Sequence, residues 1–540
     1  WFEPYGWRVV GTEHGDDFAA IQEVMTSLAD RNDPRPAIGW FRTRKGRGYG
    51  KYDAASHGTP HPMNSVAFWE TKRVFQDRYG VRFQGFEEGA PIDPEAVRAQ
   101  FAANIDVVVR VLRDQPGLVD ALTDCLADLA DAVPERPERV WVDFAKDPMD
   151  DPSLLDFEKY PVYLPPGKVV SNKQGLAAFG AYVNGMTRKR CGRPLFLVAS
   201  ADLADSTAIS GFGKDGAGVP GFGWYERDCN PRGVVLPQEI TEAVNAGLLC
   251  GMTTVNFASD PFSRFTGFFG AASTYGAFSY LKYGMARLFS QVAQDCPLKV
   301  GKFLWVAGHS GPETAEDSRT HFGVFSPGVT RLFPQGQVIN LYPWEHNEVP
   351  VMLAAALREP EPIIVVHLTR PSIPIPDRQA LGMPSHFAAA RGAYVIREFD
   401  PDLPRAGTVL VQGTYTTHYL LKILPALRER ALNVRVVAAV SWDLFCKQPV
   451  EYRDKVLPWP QWLDSMVVTN SALSNMGDWL SSKVAQEYSL SADWDHRWRT
   501  GGSVAEVYDE AHLTSEHLLK GIERFVRERA QRLQLLHTSV

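Results

Sequence analysis

The chain has 540 residues, 45% of them hydrophobic and 22% charged. That globular balance excludes disorder, collagen-like repeats and low complexity, and its length predicts about three to four domains. Fifty-six Lys and Arg against 63 Asp and Glu leave a net charge of −7, which gives no general case for a nucleic-acid partner. Apolar runs such as 362–368 and 434–440 are strand-sized. None nears the ~18 uninterrupted apolar residues of a membrane span, so a soluble protein with no membrane partner is expected. Cys125, Cys191, Cys229, Cys250, Cys296 and Cys446 lie far apart, with no Cys-x-x-Cys pair and no zinc spacing, and point to a reducing cytoplasm.

Three blocks alternate short apolar runs with amphipathic helical stretches, the β-α-β signature of parallel sheets covered by helices. The chain opens at Trp1 with no initiator Met and no signal-peptide pattern, as if inside a domain already under way, so a further segment upstream is expected. The first block, about 1–115, places a strand at 7–10, a helix from Asp16, and a strand at 36–43 that runs into a basic, Gly-rich loop at 42–50. A polar, Pro-rich stretch near 133–168 marks a connector, bounded as 116–168. The second block, 169–385, has expected strands at 195–199, 253–256, 304–307, 337–342 and 363–368, with helices at 173–186, 238–250 and 346–358. The third, 386–540, has a strand at 408–412, a helix at 417–431 and a strand at 434–440. No internal repeat stands out.

Four motifs carry a resemblance. Val-Arg-Val-Val-Ala-Ala-Val-Ser-Trp-Asp-Leu-Phe (434–445) is followed by Glu-Tyr-Arg-Asp-Lys-Val-Leu-Pro (451–458). His-Ser-Gly-Pro-Glu-Thr-Ala-Glu-Asp-Ser-Arg-Thr-His (309–321) sets one His twelve residues before another in an acidic loop. Leu-Thr-Arg-Pro (368–371) follows a buried run, and the first block orders Tyr-Gly-Trp (5–7), Arg-Lys-Gly-Arg-Gly-Tyr-Gly (44–50) and Ser-His-Gly-Thr-Pro (56–60). Together they resemble the thiamine-diphosphate-dependent transketolase family over essentially the whole chain, with 459–540 matching loosely. The resemblance implies an α/β fold of successive doubly wound parallel or mixed sheets covered by helices. It implies a partial diphosphate-binding domain at 1–115, a pyrimidine-binding domain at 169–385 and the family's C-terminal domain at 386–540.

The implied activity is transfer of a two-carbon ketol unit from a ketose phosphate to an aldose through a thiamine-diphosphate-bound intermediate. The chemistry needs a carboxylate on the aminopyrimidine ring nitrogen, so that the ring can help deprotonate the thiazolium carbon. Glu239 and Glu242 are both candidates. Glu242 precedes Gly251 by the nine residues that the family shows, whereas a first-turn acid also simply stabilises a helix N-terminus. By the same resemblance, Asp202 contacts the cofactor across a dimer interface, and Tyr275 with either Ala272 or Phe269 supplies the aromatic sandwich. His57, His309 and His321 bond substrate hydroxyls and relay protons, a role suited to imidazole. Asp317 reads a sugar hydroxyl, while Arg370 and Ser206 hold the sugar phosphate.

Three departures qualify the match. Asn172 precedes Lys173 where the family has a phosphate-binding Arg, and Arg319 is a substitute source of charge. Thr-Glu-Ala (241–243) loses the His that follows the essential Glu. The family's Gly-Asp-Gly motif, which with a later Asn holds Mg²⁺ and the diphosphate, has no counterpart in this chain, so those ligands are expected outside this segment. The expected assembly is a homodimer or a split-subunit complex acting on sugar phosphates. Other thiamine-diphosphate activities (a phosphoketolase, or a 2-oxoacid dehydrogenase first component) and a non-catalytic subunit are the alternatives.

Overall fold

Runs such as Ile-Ile-Val-Val at 363–366 have no polar side to turn outward, so they form strands covered by helices on both faces. The computed structural model describes residues 1–540 apart from 31, 54–59, 87, 89–92, 133–143, 215–222, 227, 238, 317, 322 and 539–540. It divides into two units, Trp1–Glu135 and Arg136–Val540.

In the first unit β1 (Arg8–Thr12), α1 (Phe18–Leu28) and β2 (Ala37–Phe41) form a β-α-β element, the strands parallel with Arg8 opposite Ala37. The Asp17 carboxylate caps α1 by accepting from the Ala19 N–H. Three helices follow, α2 (Val66–Tyr79), α3 (Pro94–Arg113) and α4 (Pro116–Asp131), and a small core gathers Trp69, Phe83, Phe86 and Val107. The expected connector at 116–168 therefore begins as helix. Pro116 opens it at a first-turn position, and Val119, Leu122, Leu126 and Leu129 recur at helical spacing.

The second unit carries two five-stranded sheets. Its first segments are β3 (Val169–Val170), α5 (Lys173–Cys191), β4 (Phe196–Ser200), α6 (Glu242–Met252), β5 (Phe269–Tyr275), α7 (Tyr283–Asp295), β6 (Phe303–Gly308), β7 (Val338–Leu341), α8 (Glu348–Leu357), β8 (Ile363–His367) and β9 (Ile373–Pro374). The order β4-β5-β6-β8-β7 is parallel throughout. β10 (Ala393–Arg397), β11 (Thr408–Gln412), α9 (Thr414–Glu429), β12 (Arg435–Ala439), β13 (Ser465–Thr469) and β14 (Leu490–Ser491) build the other sheet, ordered β10-β12-β11-β13-β14 with only β10 antiparallel. One buried apolar cluster runs through both sheets, from Leu154 to Phe525. Close approach is bought by small residues: a Cβ on Gly180 of α5 would overlap the Phe212 ring.

The strand expected at 253–256 is absent. Thr253 ends α6 instead, and the Asn256 side chain organises a loop, donating to Arg264 O and Lys299 O and accepting from the Ala258 and Thr266 N–H groups. Between β4 and β6 runs β5, whose Gly-Ala-Ala-Ser-Thr stretch is buried along its whole length although it lacks large apolar residues.

The two sheets meet over a buried charge network. Arg378 donates through Nη2 to Glu345 Oε1 (2.9 Å) and Glu348 Oε1 (2.7 Å), and all three side chains are at most 8% exposed. The hydroxyl of Tyr394, on β10, also donates to Glu348 Oε1 (2.5 Å) and accepts from Trp344 Nε1 (2.7 Å). Removing the cation strands two buried carboxylates. Arg378→Met is expected to cost the second unit about 3–5 kcal/mol, read as a lowered urea midpoint; a change within experimental error would show that the network does not hold the sheets together.

Candidate active site

Ligands of open parallel sheets bind beyond the C-terminal ends of the strands, where loops diverge. Four such loops converge here, after β4, β5, β6 and β8. The first begins with Asp202, exposed and left-handed at φ 59°, and reaches Ser206. Ser206 Oγ donates to the hydroxyl of Tyr275, the last residue of β5 (3.2 Å), and its carbonyl accepts from Lys173 Nζ at the start of α5 (2.7 Å). The Tyr275 ring stands edge-on to His309 at 4.0 Å and to His321 at 5.2 Å, and Phe278 closes on His321 at 5.5 Å.

His309 follows β6 in a left-handed conformation, φ 61°. It is 1% exposed, and among the described residues neither ring nitrogen has a hydrogen-bond partner. Burial, with the positive charges of Lys173 and Arg370 and the neighbouring His321, pulls its pKa down to about 3. At neutral pH it is therefore an uncharged imidazole with one donor and one acceptor left for something outside the chain.

Glu242 opens α6, the residue 7% exposed, and Oε1 accepts from Thr274 Oγ1 at 3.0 Å. Thr274 precedes Tyr275, so this bond ties the acid to the same strand end. Glu239 is exposed and outside the helix. Two residues before Thr274, Ala272 O accepts from Lys282 Nζ (3.1 Å), which also donates to Val306 O (2.8 Å). Lys282 is wholly buried, and desolvation drives its pKa well below the ordinary value against the pull of Glu242 and Cys250.

Sequence comparison finds similar proteins along most of the chain. The chain is 23% identical over 535 residues to a transketolase of Kluyveromyces lactis, covering 97% of this chain and 67% of the relative. With a transketolase of Aquifex aeolicus it is 23% identical over 466 residues, 85% of this chain and 57% of that protein. The chain is similar to transketolases over most of its length. No family model matches it. Its fold is that of a transketolase from Leishmania mexicana (TM-score 0.64, 19% identity, 98% of this chain and 67% of that one) and one from Campylobacter jejuni (0.61, 17%, 97% and 68%). The chain spans about two thirds or less of the length of these curated relatives.

Within this chain, Ser206, Tyr275, His309, His321 and Arg370 gather at one place, with Glu242 joined through Thr274. Phe269 does not join them: it starts β5, six residues or about 20 Å before Tyr275, and packs on Phe196 and Phe265. Ala272 lies mid-strand between Ala199 and Trp305. Arg319 is exposed. His57 and Asp317 lie outside the described residues. Thr274 and Lys282 carried no sequence signal, because a hydroxyl and an ammonium that serve a strand end from inside a sheet follow no spacing rule.

The family implies thiamine diphosphate and a divalent metal. The residues fit the pyrimidine end of that cofactor: Glu242 keeps Oε2 without a donor among the described residues, and His309 keeps both nitrogens. For the metal end, no group of three or more His, Cys, Asp or Glu stands together among the described residues.

The segment bearing both histidines is anchored by Glu313, fully buried, which accepts from Asn470 Nδ2 (3.0 Å) and the Tyr508 hydroxyl (3.0 Å) of the second sheet's side. Burial raises its pKa from 4.5 to about 7. The folded state thus holds a proton that the unfolded state has lost between these values, so stability falls as pH rises from about 4.5 to 7, by about 3 kcal/mol in all. Glu313→Gln is expected to remove that slope: urea midpoints of the variant should gain on the unaltered protein from pH 5 to pH 8, and parallel curves would refute the assignment.

Proposed function

We propose that this chain takes part in transketolase-type catalysis, moving a two-carbon ketol unit from a ketose phosphate to an aldose with thiamine diphosphate and Mg²⁺. The observation that carries the reading is a buried acid, Glu242 of α6, bonded to Thr274 near the end of β5, beside the end of β6, which is followed by a neutral and unpartnered imidazole, His309. When bound, the cofactor supplies an acidic carbon and an electron sink.

Glu242 would hold the aminopyrimidine ring of the cofactor, with Thr274 fixing its carboxylate. His309 accepts or donates a proton at a substrate hydroxyl; its depressed pKa keeps it neutral for that exchange. His321 and, by resemblance, His57 and Asp317 take the remaining hydroxyls. Tyr275 supplies an aromatic face. Arg370 and Ser206 hold the phosphate, with Lys173 locking the Ser206 backbone. Metal and diphosphate ligands come from outside the described residues.

A second copy is the proposed partner, with Asp202 reaching its cofactor. Val244, Leu248 and Leu288, 67%, 51% and 50% exposed, lie on α6 and α7, which pack together, α6 beginning at Glu242. A surface of this kind suits an apolar interface. We place the protein in the cytoplasm; among the described residues no helix is long and apolar enough to cross a membrane.

The test uses the full-length protein with thiamine diphosphate, Mg²⁺, a ketose phosphate and an aldose. A new ketose is the expected product, whereas acetyl phosphate or CO₂ would transfer the reading to another thiamine-diphosphate activity. Glu242→Gln should lower kcat by about 10²–10⁴-fold with little change in thermal midpoint; full activity in that variant would refute its role. Sedimentation should give a dimer at micromolar concentration, and an active monomer would remove the proposed cross-subunit site.

A further inference from the structure

Asn172 precedes α5 and is completely buried, yet it touches three separate segments. Its Nδ2 donates to Pro343 O (2.9 Å), beyond β7, and to Thr414 Oγ1 (3.2 Å), the first residue of α9. Its Oδ1 accepts from the Thr369 N–H (2.9 Å) and from Thr369 Oγ1 (3.3 Å). Thr369 Oγ1 also lies 3.0 Å from Thr414 Oγ1, so its single hydroxyl hydrogen is shared between that oxygen and Asn172 Oδ1. A carboxamide offers two donor hydrogens and two principal acceptor lone pairs, and all four are engaged by the protein. None is left for a substrate.

What the carboxamide does hold is the turn that carries Arg370. Thr369 is the residue before it, and the Thr369 N–H is the group that Asn172 captures. With Thr369 at 3% exposure, an unsatisfied N–H there is costly, so the turn has one preferred setting. The same carboxamide binds α9, which belongs to the second sheet, and so the setting of Arg370 is tied to the junction between the sheets.

We propose that Asn172 is a positioning residue for Arg370, fixing through Thr369 the direction of the guanidinium and hence the selectivity for a phosphorylated ketose. This rests on the transketolase-type reading of the same site. The geometry also assigns the position no direct phosphate contact: the place where a longer cationic side chain would extend is filled by Pro343, Thr369 and Thr414.

Asn172→Leu keeps the approximate shape but removes the oxygen that accepts the Thr369 N–H together with both donated hydrogens. With the full-length holoenzyme it is expected to raise KM for a ketose phosphate by about tenfold, leaving kcat, and KM for the dephosphorylated ketose, within about twofold. Combined with Arg370→Met, it should add nothing further to the KM for the phosphorylated donor. Thr414→Val is the milder companion, deleting the α9 arm while keeping the Thr369 bond, and should shift KM in the same direction by less. Equal loss on both donors, or additive effects in the Arg370→Met background, would overturn the proposal. If the unaltered protein turns over neither donor, the catalytic reading fails by itself. Calorimetric binding of the ketose phosphate then decides the inference: Asn172→Leu must weaken it as Arg370→Met does, and unchanged binding, or none by the unaltered protein, overturns it.

Discussion

Buried polar groups at the junction of the two five-stranded sheets constrain everything around the site. Arg378 under Glu345 and Glu348, Asn172 between Thr369 and Thr414, and Glu313 between Asn470 and Tyr508 each join side chains from both sheets or from the loops beyond them. Such bonds are strongly directional, and the penalty for leaving any member unpaired in a dry interior is several times the net gain of forming it. The junction therefore has one low-energy setting. The loops that carry His309, His321 and Arg370 are built against it and inherit that setting.

Within this frame the site is electrically unusual. His309 is held neutral by burial and by neighbouring cations, and Lys282 is pushed toward its neutral form in the sheet that presents Glu242. A chain that buried such groups for stability alone would pair them. Here the imidazole has no partner among the described residues, and the acid is held by one oxygen only. Unsatisfied groups concentrated at strand ends are the expected form of a site whose remaining bonds are made by a ligand.

Much of the second unit was legible as pattern. Ile-Ile-Val-Val at 363–366 and Val-Arg-Val-Val-Ala-Ala at 434–439 read as buried parallel strands, and β8 and β12 occupy them. The run at 253–256 had the right composition and still failed as a strand, because Asn256 satisfies five loop groups that a ladder would leave open. β5 was missed for the opposite reason. Its small residues carry no apolar signature, and they are buried because α6 comes close enough to need them small: a Cβ on Gly270 would press on Leu249. The aromatic register followed from that omission, since only the strand's direction reveals that Phe269 and Tyr275 lie at opposite ends.

By itself the sequence determined the α/β class, the family likeness and the short set of side chains able to do the chemistry, because these depend on apolar periodicity and on motifs local to a few dozen residues. Tertiary structure alone buried Glu242 against Thr274 while leaving Glu239 exposed, set Phe269 and Tyr275 at opposite ends of β5, and gave Asn172 and Glu313 their partners. Those outcomes turn on burial and on contacts between residues as much as 242 positions apart in the chain. The pKa of a histidine and the aim of an arginine are set by what is packed around them, and no local spacing encodes that.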